Sequence, residues 1–359
     1  MKHINELENF LSNLFNWHKS RVGCLAQIIQ ALFCVKTVNL SEIANSFHNN
    51  ATEKSSYRRV QRFFKSFSFD LSSIVSLILH LFSFEKFILI MDRTNWKWGK
   101  THVNILMLSI AYKGISIPIV WSVRPKGGNS SIDDREHLLK KVISKIGVRR
   151  IHAFLADREF IGEKWFRYLV SKKVSFLIRI QKKYKASGIE TGAQVPLEKL
   201  LDKVDLEKKL INYPVVLAGL YLYVLVKAGN NTKDPWILIS NVEFSSPINL
   251  YKKRWEIETL FGCLKTKGFR LEDTHMTDTY KIEKLLFILT IAFSWSYKIG
   301  ELRSKEVPIK TKTHKRKEIS FFRLGYNIIR RVFYRVFIDL ESIIIMIKTI
   351  FGDEYVTSN

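Results

Sequence analysis

The sequence predicts an α/β protein in which helices flank a mixed β-sheet. Three observations lead to this prediction. Apolar residues recur at helical spacing through residues 1–83, with no proline before Pro118. From Phe84 to residue 181, short apolar strands alternate with amphipathic helices, and residues 182–245 are rich in strand-forming sequence. We therefore expect an all-α N-terminal domain, an α/β core, and a β-rich insertion within that core.

The chain is strongly basic. Its 359 residues include 58 Lys and Arg against 33 Asp and Glu, a formal net charge of +25. The cations recur along the chain among aromatic residues, as in "YRRVQRFFK", "YKKRW" and "IIRRVFYR". This distribution indicates a long polyanion as partner, with nucleic acid as the first candidate.

A membrane role is the alternative for a basic protein. The most apolar run, "KLLFILTIAFSWSY" from Lys284, has too few uncharged residues to span a bilayer, so we expect a buried helix. The first residues, "MKHINELENFLSNLF", are typical of an amphipathic helix rather than of a signal peptide, which favours the cytoplasm. The three cysteines are widely spaced, which predicts buried thiols rather than disulfides or a zinc site.

Two helices within residues 1–83 indicate helix-turn-helix DNA binding. A short helix capped by Ser41 is followed by the polar turn "HNNATEK" and by a second helix that begins near Ser55. The second helix carries Arg58, Arg59 and Arg62, the expected DNA contacts. The alternative is a plain helical bundle with a solvated basic face.

The remaining chain divides into four regions. Residues 84–181 should form three strands, a helix, a strand, a helix and a strand, as the first part of the core. The β-rich insertion spans 182–245, and the second part of the core, 246–300, is helical. A basic helical C-terminal region follows, 301–359.

Two aspartates follow apolar strands. "KFILIMD" ends at Asp92 and "RIHAFLAD" ends at Asp157. Carboxylates in these positions point into the crevice at the carboxyl edge of a sheet, where ligands bind in open α/β sheets. Together with a Glu from a helix on the same sheet, they would form a cluster of hard oxygen ligands, which select Mg²⁺ or Mn²⁺.

The stretch "YKKRWEIETLFGCLK" supplies that Glu. On a helix, Arg254, Glu258 and Lys265 lie within about 60° of Tyr251, on a polar stripe beside the apolar face. Glu256 should point elsewhere. If Glu258 is the third metal ligand, then Arg254 and Lys265 are placed to hold phosphates, and Tyr251 can donate a hydrogen bond to one. The alternative is a surface ion pair between Arg254 and Glu258.

These motifs together resemble the insertion sequence four family of bacterial DDE transposases, the branch with a Tyr-Arg-Glu-Lys signature. The resemblance is carried by "MDRTNWKWG", by "LADREFIGEKWF", and by Tyr251, Arg254, Glu258 and Lys265 at their spacing. It extends over nearly the whole chain, including the β-rich insertion. It implies an RNase H-like catalytic core in which Asp92, Asp157 and Glu258 are the catalytic residues and the ligands of two Mg²⁺ ions, with Mn²⁺ as a substitute.

The resemblance also implies a reaction and its partners. Members bind the terminal inverted repeats of their element and carry out cut-and-paste transposition, in some cases through hairpin ends, as dimers on paired DNA ends. Trp236, in "DPWILISN", matches a tryptophan that stacks on a base flipped from the transposon end. The alternative for Trp236 is a place in the core of a β-strand.

Two other functions stay open on the sequence. One is a sequence-specific DNA-binding relative without chemistry, against which the complete set of carboxylates argues. The other is a nuclease of the same fold that cleaves DNA without strand transfer.

Overall fold

A ten-stranded mixed sheet forms the centre of the computed structural model, which describes residues 2–189, 192–197, 199, 211–227, 236–313 and 315–334. The strand order is β3-β2-β1-β4-β5-β10-β9-β8-β6-β7. Helices from both ends of the chain pack against this sheet and against one another. The observed fold is thus the predicted mixed α/β class.

Five helices precede the sheet. They are α1 (Lys2–Leu14), α2 (Lys19–Val35), α3 (Leu40–Asn45), α4 (Glu53–Ser66) and α5 (Leu71–Leu81). The cap of α3 is Asn39, whose side chain accepts the Ser41 N–H at 3.0 Å, so the prediction that Ser41 caps this helix is wrong. Thr52 caps α4 by accepting the Ser55 N–H at 3.2 Å. Both caps satisfy an N–H group that the helix itself leaves unpaired.

The first half of the sheet has the predicted order of elements. The elements are β1 (Phe87–Trp98), β2 (Thr101–Tyr112), β3 (Ile115–Arg124), α6 (Ile132–Ile146), β4 (Ile151–Ala156), α7 (Glu163–Ser171) and β5 (Phe176–Arg179). β1, β2 and β3 form an antiparallel meander, whereas β4 pairs parallel with both β1 and β5. Lys113 and Gly114 connect β2 to β3 with positive φ angles, as a tight hairpin turn requires.

β1 is longer than the sequence predicts. Asp92 was expected to end this strand, but β1 continues to Trp98 because β2 pairs with it along the whole length, as far as Trp98 and Thr101. Only the parallel pairing with β4 stops early, at Met91 and Ala156. Asp92 and Asp157 therefore both lie one residue beyond the last parallel pair.

The insertion extends the same sheet. Its strands are β6 (Lys185–Gly188), β7 (Gln194–Pro196), β8 (Ile211–Leu217), β9 (Leu220–Lys227) and β10 (Trp236–Ser240). β10 pairs antiparallel with β5, so the five insertion strands continue the core sheet edge to edge. Residues 228–235, between β9 and β10, lie outside the described residues.

The chain after the insertion is helical. It forms α8 (Pro247–Lys252), a 3₁₀ turn (Lys253–Trp255), α9 (Glu256–Leu264), a 3₁₀ turn (Leu271–Asp273), α10 (Thr279–Glu306) and α11 (Phe321–Tyr334). The predicted single helix from Tyr251 to Lys265 is thus divided by a tighter turn. Of the predicted C-terminal region, residues 335–359 lie outside the described part.

α10 is the central helix of the fold. By length and composition it is the one helix in the described residues that could cross a membrane, but 89% of its apolar window is buried inside the protein. That burial matches the predicted core helix. α10 crosses α11 at Gly300 and Gly325, where a Cβ on Gly325 would overlap the carbonyl oxygen of Ser296.

The N-terminal helices share their core with α10 and α11. The ring of Phe33, on α2, lies 5.8 Å from Trp295 on α10 and 5.3 Å from Tyr326 on α11. Buried side chains of these helices and of the sheet belong to one continuous cluster. The first 83 residues therefore pack as part of the whole structure.

Candidate active site

Asp92 and Asp157 lie side by side at the sheet. Each lies one residue past the last pair that β1 and β4 form, so the parallel register places them at the same edge. Asp157 Oδ1 is buried and has no hydrogen-bond partner among the residues that the structure describes. A buried carboxylate oxygen without a donor is costly, so this oxygen fits a bound cation or another hydrogen-bonding group.

The carboxyl group of Asp92 is mostly buried, with 17% of the side chain exposed. Its Oδ1 accepts the N–H of Arg93 at 2.7 Å, and its Oδ2 lies 3.2 Å from Nη1 of Arg254. Burial raises the pKa of Asp92 to about 6, although both of these contacts lower it, and repulsion from Asp157 and Glu159 adds to the rise. The site therefore disfavours the ionised carboxylate unless further positive charge is supplied.

Arg254 connects Asp92 to Glu258. Its Nη2 lies 2.6 Å from Glu258 Oε1 while its Nη1 contacts Asp92, and only 7% of Arg254 is exposed. Its guanidinium also lies over the ring of Trp255, at 5.0 Å from the centroid. Both ends of the guanidinium thus face carboxylates, and the contact of Arg254 with a DNA phosphate stays a prediction.

The three predicted carboxylates do not form a closed cluster. In the described part of the chain, no group of three or more His, Cys, Asp or Glu side chains is arranged to hold a metal ion. Asp92 and Asp157 are adjacent, whereas Glu258, with 52% of its side chain exposed, is linked to Asp92 through Arg254. Asp92 and Asp157 fit a divalent cation, because they offer carboxylate oxygens and one of these is buried without a partner.

Tyr251 holds the end of β4. It is 1% exposed, and its hydroxyl donates to the carbonyl oxygen of Ala156 at 3.2 Å, one residue before Asp157. Burial raises the pKa of this hydroxyl well above its ordinary value. In the structure this hydroxyl is buried and bound to a backbone carbonyl, and its hydrogen bond to a phosphate stays a prediction.

Lys265 lies at the end of α9, toward the hairpin of β1 and β2. Its Nζ lies 2.6 Å from Glu272 Oε1, donates to the carbonyl oxygen of Asn95 at 3.3 Å, and lies 5.7 Å from the centroid of the Trp96 ring. The Lys265 side chain is mostly buried. In the structure its charge is paired with Glu272, and its phosphate contact stays a prediction.

Glu256 points away from the site, as predicted. It is buried, and its Oε2 accepts the N–H of Tyr112 at 2.8 Å at the turn between β2 and β3. Burial raises the pKa of Glu256, although nearby Lys253 and the backbone N–H groups lower it. Two glutamates on one helix turn therefore have separate environments.

Three aromatic side chains pack beside the carboxylates. The Trp236 ring, at the start of β10, lies 5.2 Å from the Trp255 ring and 5.9 Å from the Tyr251 ring. Trp236 is half-buried, which is compatible both with stacking on a base and with a place in the core of a β-strand. Base stacking stays a prediction. Trp255, which is 38% exposed, was not singled out from the sequence, although it directly follows Arg254.

A second ion pair near the site was also not predicted. Arg93 donates to both carboxylate oxygens of Glu159, at 2.7 and 2.9 Å, and to the carbonyl oxygen of Gly128 at 2.6 Å. This pair ties β1 to the loop after β4, immediately beside Asp92 and Asp157. The sequence signal was the arginine next to Asp92 and the glutamate two residues after Asp157.

The predicted arginines of α4 separate into two groups. Arg58 and Arg62 are exposed on one face, together with Lys65. Arg59 is half-buried and hydrogen-bonds the thiol of Cys24 on α2, where burial raises the pKa of Cys24 to about 11. Arg58 and Arg62 are thus open to the solvent whereas Arg59 faces the helical core, and the DNA contacts of all three stay predictions.

Comparisons with known proteins identify the family. A search of curated proteins found no match. Among solved structures, the chain is similar to one titled "Cryo-EM structure of piggyBac transposase synaptic complex with hairpin DNA (SNHP)", at 12% identity and a TM-score of 0.46, over 94% of this chain and 77% of that chain. A likeness of this size bears on neither the site nor the function.

The family comparison is more extensive. The model of the family described as "Transposase DDE domain" matches residues 84–295, a segment that contains Asp92, Asp157 and Glu258. This segment is more than half of the chain. The chain therefore belongs to the transposase DDE domain family, whose function is DNA transposition.

Proposed function

We propose that this protein is an active DNA transposase with an RNase H-like core. It would bind the terminal inverted repeats of its element and carry out cut-and-paste transposition by metal-assisted phosphoryl transfer. The observation that carries the proposal is the position of Asp92 and Asp157 on neighbouring strands, each one residue beyond the last parallel pair of β1 and β4, with one buried oxygen of Asp157 lacking a partner among the described residues. Membership of the transposase family supports the same reading.

Asp92 and Asp157 would hold a divalent cation, and Glu258 would complete a two-ion site. Mg²⁺, or Mn²⁺ in its place, supplies activation of a water or 3′-hydroxyl and stabilisation of the leaving oxygen. Arg254 offsets part of the negative charge of Asp92 and Glu258. Tyr251 fixes the carbonyl before Asp157, so the two aspartates keep their spacing.

The proposed partner is double-stranded DNA, both as transposon ends and as target. A net charge of +25 supports binding to a polyanion. Arg58 and Arg62 would contact the DNA ends, and Trp236 would stack on a flipped base during hairpin formation. We further propose that the protein acts as a homodimer on paired ends, in the cytoplasm at the nucleoid.

The test is cleavage of a duplex that carries the terminal repeats flanking the encoding element, in the presence of Mg²⁺. Wild type should cut at the repeat ends, and Glu258→Gln should bind the ends but not cut them. Glu256→Gln is the matched control, since it makes the same change on the same helix and faces the β2–β3 turn instead. Incorporation of the freed 3′ ends into target DNA distinguishes a transposase from a nuclease.

A second candidate is a DNA-binding relative without catalysis. The Arg254 bridge favours it, because Asp92 and Glu258 each pair with this guanidinium in the structure. Specific end binding by wild type with no cuts in either Mg²⁺ or Mn²⁺ would support this candidate. Cuts by wild type that persist in Glu258→Gln would refute the role of Glu258 and leave transposition to be tested through Asp92.

A further inference from the structure

A basic cleft lies between α4 and the chain that leads into α10. Its volume is about 840 Å³. One wall is the face of α4 that carries Tyr57, Arg58, Arg62 and Lys65, and the other is the segment from His275 to Lys281. We call this space the α4 cleft.

The cleft presents positive charge to the solvent. Arg58, Arg62 and Lys65 follow one helical stripe about 10 Å long. Their side chains are exposed, and none of them forms an ion pair within the described residues. Asp278 also lines the cleft, where it caps α10 and lies 3.9 Å from Lys281. The cations of this stripe outnumber Asp278, which favours an anion with several charges in a row, such as the phosphates of a DNA strand.

A line of contacts joins this cleft to the candidate active site. Asp92, Trp96 and Trp98 lie on one face of β1, since alternate residues of a strand share a face. The chain from α8 to α10 contacts each in turn. Arg254 pairs with Asp92, Lys265 lies over Trp96, and His275 stacks on Trp98 with 4.3 Å between ring centroids and 14° between planes.

The strand also sets the distance between the two sites. Trp98 lies six positions after Asp92 in β1, which at about 3.3 Å per residue corresponds to about 20 Å. DNA advances about 3.4 Å per nucleotide, so this distance equals about six nucleotides. Trp98, with 41% exposed, and His275 form the end of the line where it meets the α4 cleft.

We propose that the DNA end lies along this line, with the cleaved phosphate at Asp92 and a backbone segment about six nucleotides away in the α4 cleft. The proposal rests on the transposase function proposed above. It adds the register of the DNA, that is, the number of nucleotides between the cleaved phosphate and the phosphates bound in the cleft. Arg58, Arg62 and Lys65 bind phosphates there. Trp98, supported by His275, packs against a sugar or base where the duplex enters the cleft.

The experiment is methylphosphonate interference on a duplex of the terminal repeat. Single phosphates are neutralised one at a time, and the affinity of the full-length protein is measured for each duplex. Wild type should lose affinity severalfold for two windows, one at the cut and one about five to eight nucleotides from it. The double variant Arg58→Ala/Arg62→Ala should lose the second window only, and its log–log salt slope should fall by about 2.

Two further variants separate the contribution of the aromatic contact to end binding from that of the cations in the cleft. Trp98→Ala should weaken end binding severalfold without changing the salt slope, because it removes an aromatic contact and no charge. Lys145→Ala, which removes an exposed cation of α6 outside the cleft, is the matched control and should leave both windows and the salt slope unchanged.

The possible failures are distinguishable. A single window at the cut, unaffected by Arg58→Ala/Arg62→Ala, would overturn the proposed line while leaving the transposase proposal intact. A second window more than about ten nucleotides away would overturn the register. Equal affinity for the terminal repeat and for a scrambled duplex would refute end recognition, and the further inference with it.

Discussion

Replacing Asp92 by Asn should change how the stability of the protein depends on pH. Burial raises the pKa of Asp92 from an ordinary 3.8 to about 6 in the folded protein. Because the folded pKa is the higher one, the contribution of Asp92 to stability is greatest when the carboxyl is protonated and is lost as the pH rises through about 6. Each pKa unit corresponds to about 1.4 kcal/mol, so the ionised carboxylate costs the fold about 3 kcal/mol at about pH 8.

The assay is urea unfolding in a metal chelator at about pH 4.5 and about pH 8. Roughly a third of this cost of about 3 kcal/mol is already present at about pH 4.5. Between the two pH values, the free energy of unfolding of wild type should therefore fall by about 2 kcal/mol more than that of Asp92→Asn. Adding Mg²⁺ at the higher pH should stabilise wild type and have little effect on the variant, since a cation bound by the native state shifts unfolding by mass action. Parallel pH profiles for the two proteins would refute both the burial of this carboxylate and its cost.

Three other substitutions test the packing around the site and the fold. Arg254→Ala should lower the free energy of unfolding by about 2 to 3 kcal/mol, because it leaves two carboxylates without their shared cation, and Arg254→Lys should recover part of this; equal stability of all three proteins in urea would contradict the bridge. Tyr251→Phe should cost about 1 kcal/mol, the usual net value of one hydrogen bond, and an unchanged denaturation midpoint would show that the contact with Ala156 is not formed. Gly325→Ala should lower the free energy of unfolding by about 1 to 3 kcal/mol, because the added methyl overlaps the carbonyl of Ser296. A melting temperature equal to that of wild type would refute the close helix crossing.

The sequence predicted the class of fold and the strand that carries each aspartate. Apolar alternation identified β1 and β4, and the step from a buried run to a carboxylate placed Asp157 correctly after β4. It placed Asp92 at a strand end because a charged residue usually leaves the core. β2 follows after a two-residue turn and pairs with β1 past Asp92 as far as Trp98. The apolar run that marked the strand stops at Met91, so it did not show that the polar residues from Asp92 onward continue the strand.

The polar stripe on the helix was predicted less well. An ideal helix places Tyr251, Arg254, Glu258 and Lys265 on one line, but the 3₁₀ turn at Lys253–Trp255 interrupts it. The contact between Arg254 and Glu258 survives the interruption, while Tyr251 turns into the core. Helical arithmetic cannot foresee this, because the burial of Tyr251 is set by Ala156, a neighbour that only the folded chain brings close.

The same limit applies in the N-terminal helices. Arg58, Arg59 and Arg62 are the same residue type on one helix. The packing of α4 against α2 brings Arg59 to Cys24, while Arg58 and Arg62 line the cleft. The insertion was predicted as β-rich, but its attachment to β5 is a matter of strand pairing at long range, which local sequence patterns do not contain.

The bridge made by Arg254 also affects the protein before it meets its substrate. Carboxylates that face one another unpaired would repel and loosen the strand ends during folding. With one guanidinium shared between Asp92 and Glu258, the chain can complete its fold and keep it while free divalent cations are scarce. Newly synthesised protein would then fold with half of the negative charge of this carboxylate pair offset, while Asp157 Oδ1 lacks a hydrogen-bond partner among the described residues.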